Sequence, residues 1–213
     1  MAAPVDLNRL LPDARQFLAE LAQNNDRAWF QAHKTRYDGQ LKRPSEKLLA
    51  RIAQWLRDSR AMSVRVKLFR PHRDARFTED KTPYHTHLHM MWSLPDGRAW
   101  VLGISPEYAT AGAGLMRFDP AQQTRWRAAL DTDRGPALTA LLGRQTWRLD
   151  PPELPQVPSP WPPDHPHAAL LRRQGLVAWR DDLEEALSED PETALKTAFA
   201  ESTPLMDWLA GIA

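Results

Sequence analysis

The chain has 213 residues, 42% hydrophobic and 26% charged, with 19 prolines, 9 tryptophans and no cysteine. Such a composition excludes disordered, collagen-like and fibrous classes, and the missing cysteine excludes disulfides, thiolate metal sites and cysteine nucleophiles. Net charge is only +1, so the molecule as a whole has no strong field.

The charge is nonetheless uneven. Val64 to His89 holds six Lys/Arg, three Asp/Glu and four of the seven histidines, whereas Asp181 to Ala213 holds nine Asp/Glu and one Lys. No run approaches the ~18 apolar residues of a membrane span, and MAAPVDLNRLLPDAR carries no apolar signal core. These features set an expectation of a cytoplasmic protein with no membrane partner.

Ala14, Phe17, Leu18 and Leu21 recur with helical spacing, and Asp13 is read as the cap of this first helix. Asp26 is read as the cap of a second helix carrying Trp29, Phe30, His33, Tyr37 and Leu41. Pro44 opens a third, whose stripe is Leu48, Leu49, Ile52, Trp55 and Leu56. The period then changes to two. Val64, Val66 and Leu68 predict a strand. His85 to Trp92 predicts another, with Leu88, Met90 and Trp92 on one face and His85, His87 and His89 on the other. After the Pro95-Asp96-Gly97 turn, Trp100, Leu102 and Ile104 predict a third strand, and Tyr108 to Ala113 a fourth. Turns this short imply an antiparallel meander.

Asp119-Pro120 predicts a capped helix running to Leu130, and Pro136 to Leu142 a short one. Eight prolines between Pro151 and Pro166 exclude helix and central strand, and Trp161 among them predicts a strap packed on the body. A short helix near His167–Leu171, a strand at Gly175–Trp179 and one helix over Glu192–Leu209 complete the chain. The expected fold is a single α+β domain over 1–213. Its parts are a helical 1–60, a meander over 61–115, a helical 116–150, a Pro-rich strap over 151–166 and a closing segment over 167–213. N-terminal helices would cover one face of a twisted sheet of about four or five strands.

Arg70, Arg73, Arg76 and Lys81 fall within twelve residues, with Asp74 and Asp80 among them. Guanidinium forks match carboxylate or phosphate oxygens, and cations this dense repel one another unless neutralised. The segment thus reads either as an anion pocket or as charge pairs within a surface loop. Arg27, in a first helical turn, needs a partner such as Asp74, Asp80 or a bound anion. Trp29, His33 and Tyr37 form one stripe, read as core packing or as a pocket wall. The His85/His87/His89 row is read as a half-solvated strand face, with a metal site as the alternative; the sequence assigns no metal ligand and leaves the row's metal requirement open. Gly112-Ala-Gly114 lacks the third glycine of a dinucleotide loop and predicts close backbone packing or a bulge.

Three blocks carry a resemblance. The first is Phe17-Leu-x-x-Leu21-x-x-Asn24-Asn25-x-Arg27-x-Trp29-Phe30-x-x-His33-x-x-x-Tyr37. The second is Phe69-Arg70-x-x-Arg73-Asp74-x-Arg76-Phe77-x-x-Asp80-Lys81-x-Pro83-Tyr84. The third is Ala111-Gly112-Ala-Gly114 with the helix from Pro120. On these, on Asp164-His165-Pro166 and on Pro204-Leu-Met-Asp207-Trp208-Leu209, the chain resembles a family of uncharacterised bacterial and fungal proteins, a domain of unknown function. That resemblance spans nearly the whole chain and implies a fold but no activity. The chain departs from the family pattern after Pro83-Tyr84, where His85-Thr86-His87 replaces the usual Lys-Thr-Asn.

The resulting expectation is a pocket for a phosphate- or carboxylate-bearing small molecule, binding or catalytic. Arg27, Arg70, Arg73, Arg76, Lys81 and Asn25 would be its binding residues. Asp74 and Asp80 would orient the cations or act as general base, with His33 and Tyr84 as proton donors. A nucleic-acid module on Arg65, Lys67 and Arg70 is disfavoured by near-neutral charge and the acidic C-terminal segment. A structural or protein-interaction domain with an internal ionic network is the third reading. The sequence assigns no cofactor and no oligomeric state.

Overall fold

A computed structural model describes residues 6–74, 76, 78–143 and 147–213. A 3-10 turn, Leu7–Arg9, leads into α1 (Leu10–Gln23). Asp13 lies inside the first turn of α1 rather than capping it. There it accepts a 2.8 Å hydrogen bond from Arg9, and Asp6 caps the preceding turn instead. Asp26 caps α2 (Arg27–Arg36) as its position predicts, accepting from the Trp29 N–H at 2.9 Å. A π-helical turn, Tyr37–Lys42, joins α2 to α3 (Arg43–Arg60), which has Pro44 in its first turn.

The strands are β1 (Arg65–Leu68), β2 (Leu88–Ser93), β3 (Ala99–Ile104) and β4 (Ala109–Leu115). The chain continues through α4 (Pro120–Leu130), α5 (Arg134–Gly143), β5 (Arg148–Leu149), α6 (Ala168–Leu171) and β6 (Leu176–Arg180). It ends in α7 (Glu184–Glu189), α8 (Pro191–Glu201) and α9 (Thr203–Ala210). The six strands form one antiparallel sheet in the order β1-β2-β3-β4-β6-β5, so the architecture is α+β.

Several elements differ from expectation: the second helix ends at Arg36, short of Tyr37 and Leu41, and α7 was not foreseen. The second strand begins at Leu88, not His85. Upstream of it the backbone is already taken: Tyr84 bridges to His72, and the His85 N–H donates to the Pro71 carbonyl at 2.7 Å. The single C-terminal helix is two, because Pro204 cannot continue the ladder of α8 and instead sits in the first turn of α9. The strand beyond the expected four or five is the two-residue β5, too short to show a period, and it interrupts the 116–150 stretch expected to be helical.

Helices cover one face of the sheet in two adjoining clusters. Over β2, β3 and β4, the buried Met90, Trp92, Trp100 and Leu102 pack with α1, α3 and α8 residues such as Phe17, Leu48, Ile52 and Phe199. Over β6, Leu176 and Ala178 pack with Trp126, Leu138, Leu171, Leu205 and Leu209. Ala113 of the first cluster is paired with Ala178 of the second, which places both clusters on the same face. Burying an apolar side chain of this size contributes about 1.5–3 kcal/mol relative to exposure. Each buried indole also finds an acceptor at 3.0 Å: Trp92 the Leu49 carbonyl, Trp100 the Ser202 hydroxyl and Trp126 the Leu170 carbonyl. The Pro-rich segment packs on the second cluster through Val157 and Trp161. Asp131 fastens it, accepting from Trp161 Nε1 at 2.5 Å and meeting His165 Nε2 at 3.0 Å.

Candidate functional site

The other face of the sheet is built by the residues that alternate with the core. Paired residues of an antiparallel sheet project to the same side. Tracing the register gives one row across all six strands: Lys67, Met91, Val101, Gly112, Trp179 and Arg148. The neighbouring row runs His89, Gly103 and Thr110. Phe69 continues it at one end, its N–H donating to the His89 carbonyl, and Asp181 at the other, accepting from Thr110 Oγ1 at 2.6 Å.

A groove of about 590 Å³ lies between these rows, within the ~300–1,000 Å³ usual for small-molecule sites. Glycines let the side chains of this face settle close to the sheet, and one of them, Gly103, lines the groove. A Cβ on Gly112 would sit 2.5 Å from the Trp179 ring, and one on Gly103 would sit 3.2 Å from both His89 and Tyr108. The rings therefore lie against bare backbone and become walls. Trp179 is fixed by its Nε1, which donates to Asp150 Oδ2 at 2.9 Å, and Tyr108 by a 3.1 Å contact between its hydroxyl and His89 Nε2. Among the described residues, four large hydrophobic side chains are exposed: Val66, Phe69, Tyr108 and Met116. Three of them, all but Val66, line this groove.

Its polar end is an ionic triad. Arg148 Nε donates to Asp181 at 2.6 Å and its Nη1 to Asp150 at 2.5 Å. The hydrogen bond from Arg148 holds the Asp181 carboxyl below its usual range. At the opposite end, His85, His87 and His89 stack with ring centroids 4.8 and 4.0 Å apart. Burial lowers the pKa of all three, and of His89 to about 4, helped there by charge repulsion within the row. At neutral pH the row is a neutral wall.

The histidine row leads to a second, smaller cavity of about 330 Å³, lined by Asn25, Arg73, Asp80, Thr82, Tyr84, His85 and His87 among others. Four of the residues expected in the anion site meet here. Asn25 clamps the Tyr84 backbone, with Nδ2 donating to its carbonyl at 2.9 Å and Oδ1 accepting its N–H at 3.1 Å. Tyr84 is buried, stacked on Phe30 at 4.1 Å. Arg73 is ion-paired with Asp80. Backbone donation from Thr82 and the Arg73 guanidinium hold Asp80 at about 2, which leaves it a weak base at neutral pH.

The other expected residues lie elsewhere. Arg76 is on an exposed pair with Asp74 at 2.7 Å, and Arg70, Lys81 and Arg27 are exposed, none of them lining the cavity. His33 stacks on Trp29 at 4.0 Å and bonds the Trp29 carbonyl through Nδ1 at 2.8 Å. Tyr37 is buried against Phe17 and Phe30, so Phe30 rather than the Trp29 stripe meets the loop. Ala75 and Phe77 of the second motif lie outside the described residues. Among the described residues no group of three metal-ligating side chains is close enough to hold an ion, and no helix is long and apolar enough to cross a membrane.

The close backbone packing expected at Gly112–Gly114 is found at Gly114, where a Cβ would collide with the Leu176 carbonyl, while Gly112 is covered by the Trp179 ring; the groove itself was missed. Trp179, Arg148 and Thr110 were not singled out, because cross-strand register, not sequence proximity, assembles them. The alternation at Val101, Gly103 and Thr110, small residues on one side of adjacent strands, was the available signal.

Fold and site together define the chain as an α+β protein with one sheet face packed by helices and the other hollowed into a ligand-sized groove. It matches the family described as Conserved hypothetical protein (DUF2461) over residues 13–208, and belongs to that family. No curated protein and no solved structure matches it.

Proposed function

We propose that the protein binds a small, flat, largely apolar molecule in the groove over Val101, Gly103 and Thr110, between the His89–Tyr108 wall and Trp179. The observation that carries this reading is the convergence of Phe69, Tyr108 and Met116, exposed apolar side chains on a water-facing surface, around a floor at Val101, Gly103 and Thr110. Thr110, His89 and the Arg148 triad supply the few directional contacts such sites use.

The test uses N-phenyl-1-naphthylamine, a neutral flat fluorophore. Saturable fluorescence enhancement is expected from the native protein and at least about tenfold weaker binding from Val101→Trp, which fills the floor. Equal enhancement from both proteins, with matching thermal unfolding, sinks the reading.

A second reading keeps the loop as an anion site, favoured by the placement of Arg73 and Asn25 in the 330 Å³ cavity. An anion there has to displace Asp80 from Arg73. Inorganic phosphate should then raise the melting temperature, and more so in Asp80→Asn. No rise in either protein discards it.

A further inference from the structure

Resting on the groove reading, we infer that the groove's ligand carries a protonated amine, seated at the Asp150–Asp181 end with its apolar body against Trp179 and Tyr108. Charge complementarity argues for this occupant. Among the described residues that line the groove, the charged groups are Arg148, Asp150 and Asp181. Of the side chains that line this end, one is a guanidinium and two are carboxylates, so its groove-facing surface is net negative; the buried Arg173 donates to the Asp150 backbone carbonyl at 2.7 Å, not to its carboxylate.

The carboxylates have acceptor capacity left. Asp150 receives Arg148 on Oδ1 and Trp179 on Oδ2, and each carboxylate oxygen offers two lone-pair sites. The bond from Trp179 also fixes the ring beside that charge. Aromatic faces attract cations through their quadrupole, and Trp is the best of them; Arg148 already lies 5.8 Å from the Trp179 centroid. The far rim has the opposite sign, since Lys67 stands 4.2 Å over the Phe69 ring. The groove is therefore electrically polarised along its length, and a cationic head is directed away from Lys67. An anionic head meets net negative charge at the triad, and the cation that would favour it, Lys67, stands on the far rim outside the groove lining.

The experiment compares three probes with one indole body and different heads: tryptamine (cationic), tryptophol (neutral) and indole-3-propionate (anionic), titrated calorimetrically into the full chain. Tryptamine should bind at least about tenfold tighter than indole-3-propionate, with tryptophol between them. Asp150→Asn/Asp181→Asn should cut the tryptamine advantage to under about threefold. Should the double variant fail to fold, salt on the native protein decides: tryptamine affinity must fall with ionic strength while tryptophol affinity stays flat. Indole-3-propionate binding as tightly as tryptamine, with tryptophol still bound, overturns the amine inference and leaves the groove reading standing. No saturable binding of any of the three overturns both.

Discussion

On the helix-covered face, β2 and β3 present Met90, Trp92, Trp100 and Leu102, all essentially buried and interlocked with Phe199 and the stripe of α3. On the opposite face the same two strands present His89, Met91, Val101 and Gly103, and β4 adds Thr110 and Gly112. The first set fills space; the second leaves it. Stability and room for a ligand are thus assigned to opposite sides of one pleated surface, where alternation lets each be set independently.

That division can be tested by substitution on each side in turn. Trp100→Ala removes a buried indole and its bond to Ser202, and should cost about 3–5 kcal/mol in urea unfolding. A loss no larger than that of a surface substitution would mean the helices do not depend on this face. Gly112→Val places a branched side chain where a Cβ already meets Trp179 at 2.5 Å and Val101 at 3.0 Å. It should cost about 1–3 kcal/mol through overpacking and weaken probe binding by moving Trp179. Unchanged stability and binding would show that the ring does not rest on that floor.

The histidine wall gives a smaller, pH-dependent effect. His89 titrates near 4 in the fold against 6.5 normally, and His85 and His87 are shifted the same way. Between those two pH values the unfolded chain binds more protons than the folded one. The row's contribution is therefore complete above about pH 6.5 and is lost as pH falls toward 4. The melting temperature should decline across that window, and less steeply in His89→Gln; parallel profiles would remove the row from the account. Last, Arg76→Ala breaks a solvent-exposed pair with Asp74 and should leave the unfolding midpoint unchanged within error. A clear drop would show that the loop supports the fold.

What the sequence disclosed follows the same division. Large residues at regular spacing announce themselves, so α2 with its Asp26 cap, the Asp119-Pro120 helix start and the Leu88–Met90–Trp92 face were all legible. A groove is made of small residues and of partners far apart in the chain. Thr110 and Asp181 are 71 residues apart, and Arg148 reaches Asp181 across 33. The dense charges of the Arg70–Tyr84 loop attracted the first functional reading because they are adjacent in sequence. In the fold Arg73 turns to Asp80 and Arg76 to Asp74, satisfying each other locally. Asn25, singled out as a binding residue, spends its amide on the Tyr84 backbone, a role visible only once the helix connector and the strand approach meet.

The π-helical turn at Tyr37–Lys42 has a consequence for insertions and deletions. Its ladder is one residue wider than that of an α-helix, with the Arg43 N–H reaching the Asp38 carbonyl. Each residue of an α-helix advances the azimuth by about 100°. The extra residue therefore sets the phase with which α3 arrives, turning Leu48, Leu49 and Ile52 toward the sheet and placing the Leu49 carbonyl under the Trp92 indole. Deleting Gly39, beside which a Cβ would meet empty space, removes no side-chain contact but rotates that whole stripe out of alignment with Trp92.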